Sequence, residues 1–195
     1  MKLDLDIFQI KSNGLSPEKG RALIAEPILP DVIFSRSVIL LVDDAENKHT
    51  GLILNKDSGV KVGSVINAFE GKDFSLFLGG PVDTETVHFL HTYGKIIPNS
   101  IHIKGDVYWG GDFDAVIEML EADVLDKNKI SFFLGYSGWT EGQLTDELEN
   151  DSWLVCNVPD SFVFSDPKQL WKRSLTYVDE KYEIWKNFPE NPELN

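Results

Sequence analysis

The stretch Phe132-Phe133-Leu134-Gly135-Tyr136-Ser137-Gly138-Trp139-Thr140-Glu141-Gly142-Gln143-Leu144 constrains this chain more than any other. An apolar run of strand type ends at a glycine, two rings flank a Ser-Gly pair, and a helix start follows. Thr140 and Gln143 fit a capping box, in which the two side chains satisfy two exposed backbone N–H groups reciprocally. The expectation is strand, glycine turn, helix. Unpaired N–H groups at such a helix start point outward, where ligand sites are often built.

Around this junction the hydrophobic pattern predicts strands over Ala22–Ala25, Ser37–Val42, Gly51–Asn55, Phe74–Leu78, Val87–Tyr93 and Trp153–Val158. The second and third read as a hairpin across the acidic loop at 43–48, and Ile101–Ile103 is a further short strand beside Val87–Tyr93. Ser16-Pro17-Glu18 signals a turn or short helix, and Val62, Val65, Ile66 and Phe69 fall at helical spacing. Gly105 to Gly111 reads as turn, after which Asp112 caps a helix carrying Val116, Ile117 and Leu120. Asp166-Pro167 starts a last helix, along which Trp171, Leu175, Val178, Tyr182 and Trp185 form one continuous stripe. That stripe is expected to be core. Residues 1–13 read as a packing arm and the tail from Pro189 as extended chain. Strand pairs with and without an intervening helix argue for a mixed sheet, not a doubly wound parallel one. With no repeat or linker in 195 residues, one domain over 1–195 is expected.

Charge excludes more than it suggests. Eighteen basic residues stand against 32 acidic, a net charge of −14 with no basic block. Nucleic-acid affinity comes largely from Lys and Arg neutralising phosphates, so direct nucleic-acid binding is disfavoured, and anionic membranes for the same reason. Cys156 is the single cysteine, which fits a reducing compartment. The acidic start with Asp4 and Asp6, and a longest apolar run of only Val38–Val42, point to a cytoplasmic protein with no membrane span.

Ser137 invites comparison with the nucleophile elbow G-x-S-x-G, but Trp139 stands where the second glycine belongs. A small residue in a tight turn is the plainer reading; a serine hydrolase using Ser137 with His88 or His91 and Asp106 is the rival. His88 and His91 form H-x-x-H, yet on a strand residues three apart face opposite sides and no zinc spacing is matched, so no metal is expected. Gly79-Gly80-Pro81 and Gly105-Asp106 match neither a P-loop nor a dinucleotide fingerprint, so no cofactor is expected. Arg36, beside an apolar strand, is either paired with a carboxylate, Glu147 being the candidate, or offered to an anionic ligand.

Taken in order, several pieces resemble the bacterial AlgH/YqgE family. They are Leu23-Ile24-Ala25 with Pro27, Leu29, Asp31 and Phe34-Ser35-Arg36-Ser37-Val38, then His49-Thr50-Gly51-Leu52-Ile53-Leu54-Asn55 and Gly79-Gly80-Pro81-Val82. Gly135-Tyr136-Ser137-Gly138-Trp139, Gly142-Gln143-Leu144, Glu147-Leu148, Asn150 and Trp153-Leu154 complete them. The likeness runs from about Gly20 to Trp171. It implies a single α+β domain in which a mixed, barrel-like β-sheet is flanked by helices. It also implies no established activity, and a family name tied to alginate regulation from which the label of transcriptional regulator arose. Two departures stand out: Ser137 where the family often has Ala, and the 105–111 segment in place of a Thr/Ser-rich stretch.

The residues thus point to a non-catalytic binding or regulatory protein with a groove formed by Arg36, Asn55, Gly79, Gly80, Tyr136, Ser137 and Trp139. Its partner is an unidentified small ligand or protein. The alternatives are the Ser137 hydrolase and an interaction module docking through acidic loops and the C-terminal helix, with an indirect effect on transcription.

Overall fold

The computed structural model describes residues 14–188, apart from 28, 30, 46, 47 and 151; the expected arm at 1–13 and the tail from Pro189 lie outside the described residues. The chain is α+β, built on one curled sheet of ten strands. These are β1 (Ala22–Ala25), β2 (Val38–Asp43), β3 (His49–Ile53), β4 (Asp57–Lys61), β5 (Ser75–Leu78), β6 (Val82–His91), β7 (Ile101–Lys104), β8 (Val107–Trp109), β9 (Ile130–Trp139) and β10 (Trp153–Cys156). The helices are α1 (Phe113–Glu121), α2 (Gln143–Glu149), α3 (Asp160–Val163) and α4 (Pro167–Ser174). The main path runs β10-β1-β2-β3-β9-β6-β8-β7, with β4 and β5 branching from β9.

β9 is the strand on which the sheet converges. One edge pairs antiparallel with β6. The other edge pairs parallel with β5 over Phe132–Leu134 and antiparallel with β3 over Ser137–Trp139. The β5 pairing makes the sheet mixed. The strand therefore passes straight through the expected turn, and this corrects the strand–turn–helix reading. Gly135, at φ +66°, shifts the phase of the strand instead of ending it. On a regular strand residues three apart face opposite sides, yet Phe133 and Tyr136 both pack on the same core. α2 starts three residues later than expected, after Gly142 at φ +80°. Half of the capping box survives: the Gln143 side chain accepts from the Thr140 N–H at 3.1 Å, while the Gln143 N–H goes to the Thr140 carbonyl.

β1 and β10, and β2 up to its terminal Asp43, are apolar because both their faces are covered. Ala22, Ile24, Val38, Leu40 and Val42 turn towards α3, α4 and the C-terminal turns. Leu23, Ala25, Ile39 and Leu41 turn towards α2 with Trp139, Leu144 and Trp153. A third core, rich in phenylalanine (Phe69, Phe74, Phe89, Phe132), lies under α1. As expected, Asp112 caps α1, its side chain accepting from the Asp114 N–H, and Asp166 caps α4 in the same way.

Three further local readings change, and a fourth, at Ser16–Glu18, narrows to one of its two options. Val62–Phe69 is two 3-10 turns, Val62–Ser64 and Asn67–Phe69, preceded by the unexpected exposed strand β4. The 105–111 segment contains β8, which stands between β7 and β6, so Ile101–Ile103 does not pair with β6 directly. At Ser16–Glu18 a turn forms without a helix, closed by the Arg21 N–H on the Glu18 carbonyl at 3.0 Å. The C-terminal stripe is broken into α4 and two 3-10 segments, Leu175–Tyr177 and Glu180–Asn187. β-Branched Thr176 and Val178 weaken the helix there, and the Asp179 carboxylate caps a new turn by accepting from the Lys181 N–H. Trp171, Leu175, Tyr182 and Trp185 are nonetheless all buried.

Candidate anion-binding groove

The expected site residues divide into two groups. Gly79, Gly80 and Ser137 form a backbone crossing. A Cβ on Gly79 would lie 2.2 Å from the Gly135 carbonyl oxygen, and one on Gly80 would lie 2.2 Å from the Tyr136 carbonyl carbon. No side chain fits there. The Gly79 N–H donates to the Leu134 carbonyl at 2.9 Å, and the Gly79 carbonyl accepts from the Ile53 N–H at 3.0 Å. Ser137, fully buried, donates its hydroxyl to the same carbonyl at 3.1 Å. Tyr136 meets the edge of the His88 ring, and Trp139 packs in the α2 core, so neither reaches Arg36 or Asn55 in a common cleft.

The histidines that a Ser137 mechanism would use are engaged elsewhere. His91 is buried, with Nδ1 accepting from the Tyr93 N–H at 3.2 Å, so its proton sits on Nε2. Nε2 lies 3.0 Å from both the Gly110 carbonyl and the Ser100 hydroxyl. Ser100 and His91 thus form a Ser–His pair, and nothing in their spacing signals it. Ser100 also donates to the Ile97 carbonyl at 2.7 Å. His88 sits between Trp109 and Tyr136, its Nε2 buried without a hydrogen-bond partner. Burial lowers the pKa of both imidazoles, which favours the neutral form. Asp106 donates its backbone N–H to Asp160. Cys156 is buried, and burial pushes its thiol up to about 12. Among the described residues no three His, Cys, Asp or Glu side chains are grouped to hold a metal.

Arg36 and Asn55 do come together. Arg36 is a non-glycine residue at φ +53°, a conformation that costs roughly 1–2 kcal/mol. Asn55 holds it there: its Oδ1 accepts from the Val38 N–H at 2.8 Å and its Nδ2 donates to the Arg36 carbonyl at 2.9 Å. The preceding turn is tied by Asp31, whose Oδ1 accepts from the Ile33 N–H at 2.8 Å and the Phe34 N–H at 3.2 Å. Phe34 anchors the turn edge-on against Trp153, with ring centroids 5.6 Å apart.

The Arg36 guanidinium lies 4.8 Å over the Trp171 ring and donates through Nη2 to the Phe188 carbonyl at 2.8 Å. This replaces the expected Arg36–Glu147 pair. Glu147 Oε2 accepts from the indole N–H groups of Trp139 and Trp153, each at 2.8 Å, and Oε1 accepts from Gln143 at 3.0 Å. The two indoles, brought together from β9 and β10, use the carboxylate that Arg36 was expected to use.

Beside Arg36 a groove of about 630 Å³ opens between the 31–36 turn and α4. Its polar lining is Ser35, Arg36, Asn55, Lys56, Lys168 and Lys172, and among the described residues no carboxylate contributes. Lys56 donates to the Ser35 carbonyl at 2.7 Å; burial, and then the Arg36 charge, lower its pKa. Lys168 and Lys172 are exposed and one helical turn apart, so they share the groove-facing side of α4. The three lysines are missing from the expected site. Lys56 directly follows the Asn55 motif, and the i, i+4 lysine pair after Asp166-Pro167 was a readable signal.

A family model described as AlgH-like matches residues 22–183. The chain belongs to the AlgH-like family. A UPF0301 protein of Bacteroides thetaiotaomicron is 41% identical over 198 residues, covering 100% of both chains. One from Chlorobium limicola is 39% identical over 177 residues, covering 90% of this chain and 95% of its own. Among solved structures, the crystal structure of DIP2367 from Corynebacterium diphtheriae superposes with a TM-score of 0.75 at 24% identity, covering 91% of this chain and 95% of the other. The solution structure of the AlgH protein from Pseudomonas aeruginosa gives 0.70 at 24% identity, covering 91% and 98%. These two likenesses bear on the fold alone. No described helix is long and apolar enough to cross a membrane.

Proposed function

We propose that this protein is a cytoplasmic, non-catalytic binding or regulatory protein whose ligand is an anion held in the groove between the 31–36 turn and α4. One observation carries the reading: Arg36, Lys56, Lys168 and Lys172 line one groove to which no carboxylate of the described residues contributes, in a chain of net charge −14. Burial first, and the Arg36 charge second, lower the pKa of Lys56, so part of that shift is repulsion between neighbouring cations. An anionic ligand relieves the repulsion. Asn55 acts as the brace that fixes Arg36, since both ends of its amide are used on the backbone. The engagement of Ser137 with Gly79 and of His91 with Ser100 supports a binding role over hydrolysis. Regulation on this reading runs through occupancy of the groove. An effect on transcription would be indirect, because the overall charge opposes contact with nucleic acid.

Thermal shift and calorimetry with inorganic phosphate and sulfate test the reading. A ligand at a hundredfold excess over Kd stabilises the folded state by about 2.7 kcal/mol. The stabilisation should vanish in the double variant Lys168→Glu, Lys172→Glu, whose side chains are exposed on α4 and not needed for folding. No stabilisation by any anion, or equal stabilisation of the charge-reversed variant, would refute it.

A further inference from the structure

We infer that the ligand is an anionic amphiphile: a phosphate- or carboxylate-type head taken by the lysines and Arg36, joined to a short hydrocarbon portion lying along Leu29, Val32 and Pro167. This rests on the groove being an anion site and names the class of anion. The groove is only half polar, with Leu29, Val32, Pro167 and Trp171 completing its lining. Its volume of about 630 Å³ falls in the range that takes drug-sized organic ligands, far more than an inorganic anion fills.

Val32 gives the inference its direction. It is 86% exposed, more than any other large hydrophobic side chain among the described residues, and Ile33 beside it is 43% exposed. The turn that carries them is fixed by the Asp31 hydrogen bonds and the Phe34–Trp153 contact, so the valine is presented on a braced support. A valine held in water beside four cations is suited to a ligand that is charged at one end and apolar at the other. The cations set the polarity: the head lies towards Arg36, Lys56, Lys168 and Lys172, the hydrocarbon towards Leu29, Val32 and Pro167.

Methyl phosphate and hexyl phosphate, both used below micelle-forming concentrations, test this by calorimetry on the full chain. Each methylene removed from water is worth about fourfold in affinity, so burying two of the five extra methylenes gives at least about a tenfold advantage to hexyl phosphate. Val32→Asn should bring the ratio of hexyl to methyl phosphate affinity down to about one, and Lys168→Glu with Lys172→Glu should abolish binding of both. Equal affinity for the two phosphates overturns the amphiphile inference and leaves the anion reading standing; binding of neither removes both. Sedimentation with phosphatidylglycerol vesicles, against phosphatidylcholine, separates the sources. Val32-dependent capture on the former assigns the head to a bilayer lipid, and hexyl phosphate binding without capture assigns it to a soluble amphiphile.

Discussion

Replacing Glu147 by alanine should destabilise the protein by about 2–5 kcal/mol. The carboxylate serves two buried indoles: Trp139 is 5% exposed and Trp153 is 3% exposed, with ring centroids 6.1 Å apart at 85°. Both N–H groups point at one oxygen, each at 2.8 Å. Truncation leaves two buried donors without an acceptor, and each such loss costs about 1–3 kcal/mol. The Gln143 bond is exposed and adds little. For a chain of this size 1 kcal/mol moves Tm by roughly 2–4 °C, so a fall of about 5–20 °C is expected in circular dichroism melts. Glu147→Gln keeps an acceptor in place and should lose less than half as much. The sharper check is a double-mutant cycle with Trp153→Phe. In the Glu147→Ala background that change removes an orphaned donor, so it should cost less than in the wild type, with coupling of about 1 kcal/mol or more. A Glu147→Ala stability within 0.5 kcal/mol of wild type, or zero coupling, would refute the argument.

Gly79→Ala, whose Cβ would meet the Gly135 carbonyl oxygen at 2.2 Å, should abolish soluble folded protein, whereas Gly110→Ala, which opens onto free space at φ +62°, should cost only about 1–2 kcal/mol; comparing soluble yields and urea midpoints checks both. Ser137→Ala should cost only about 1 kcal/mol in urea denaturation and leave anion binding intact, because the Gly79 carbonyl keeps the Ile53 N–H. Acid should destabilise the fold through His88 and His91. Burial holds both below the ordinary 6.5, so the unfolded chain takes up protons first. Their contribution is full above pH 6.5 and is lost as the pH falls below it. Urea midpoints between pH 7.5 and 5 should fall with a slope that is shallower in His91→Gln, and an unchanged slope would exclude His91.

Strands buried on both faces are legible because β1, β10 and β2 before its terminal Asp43 leave no polar residue to mark an alternative face. Caps were legible at Asp112 and Asp166, where side chain and backbone are neighbours in sequence. The 132–144 stretch was misread because a glycine at positive φ looks the same from sequence whether it ends a strand or shifts its phase. Only the strands on either side of Gly135 decide between the two. Arg36 and Asn55 could be picked out, as could the glycines at 79 and 80, but not that the first pair edges a groove while the second makes a crossing. That distinction depends on Trp171 and Phe188, more than 130 residues from Arg36 along the chain. Charge alone suits Glu147 to Arg36, but two tryptophan N–H groups claim it instead.

The convergence on β9 has a consequence for synthesis. β3, β5 and β6 all finish before residue 92, yet each depends on a strand that begins at Ile130. Elongation at about 5–20 residues per second leaves their edges waiting for seconds after they are made. In the finished protein the same separations enter as loop-closure entropy, which places this chain among slow, high-contact-order folders. A nascent chain stalled before Ile130 would present several unpaired sheet edges at once, the condition under which β-proteins aggregate. The last strand to complete the middle of the sheet therefore also sets when the chain becomes safe from its own copies.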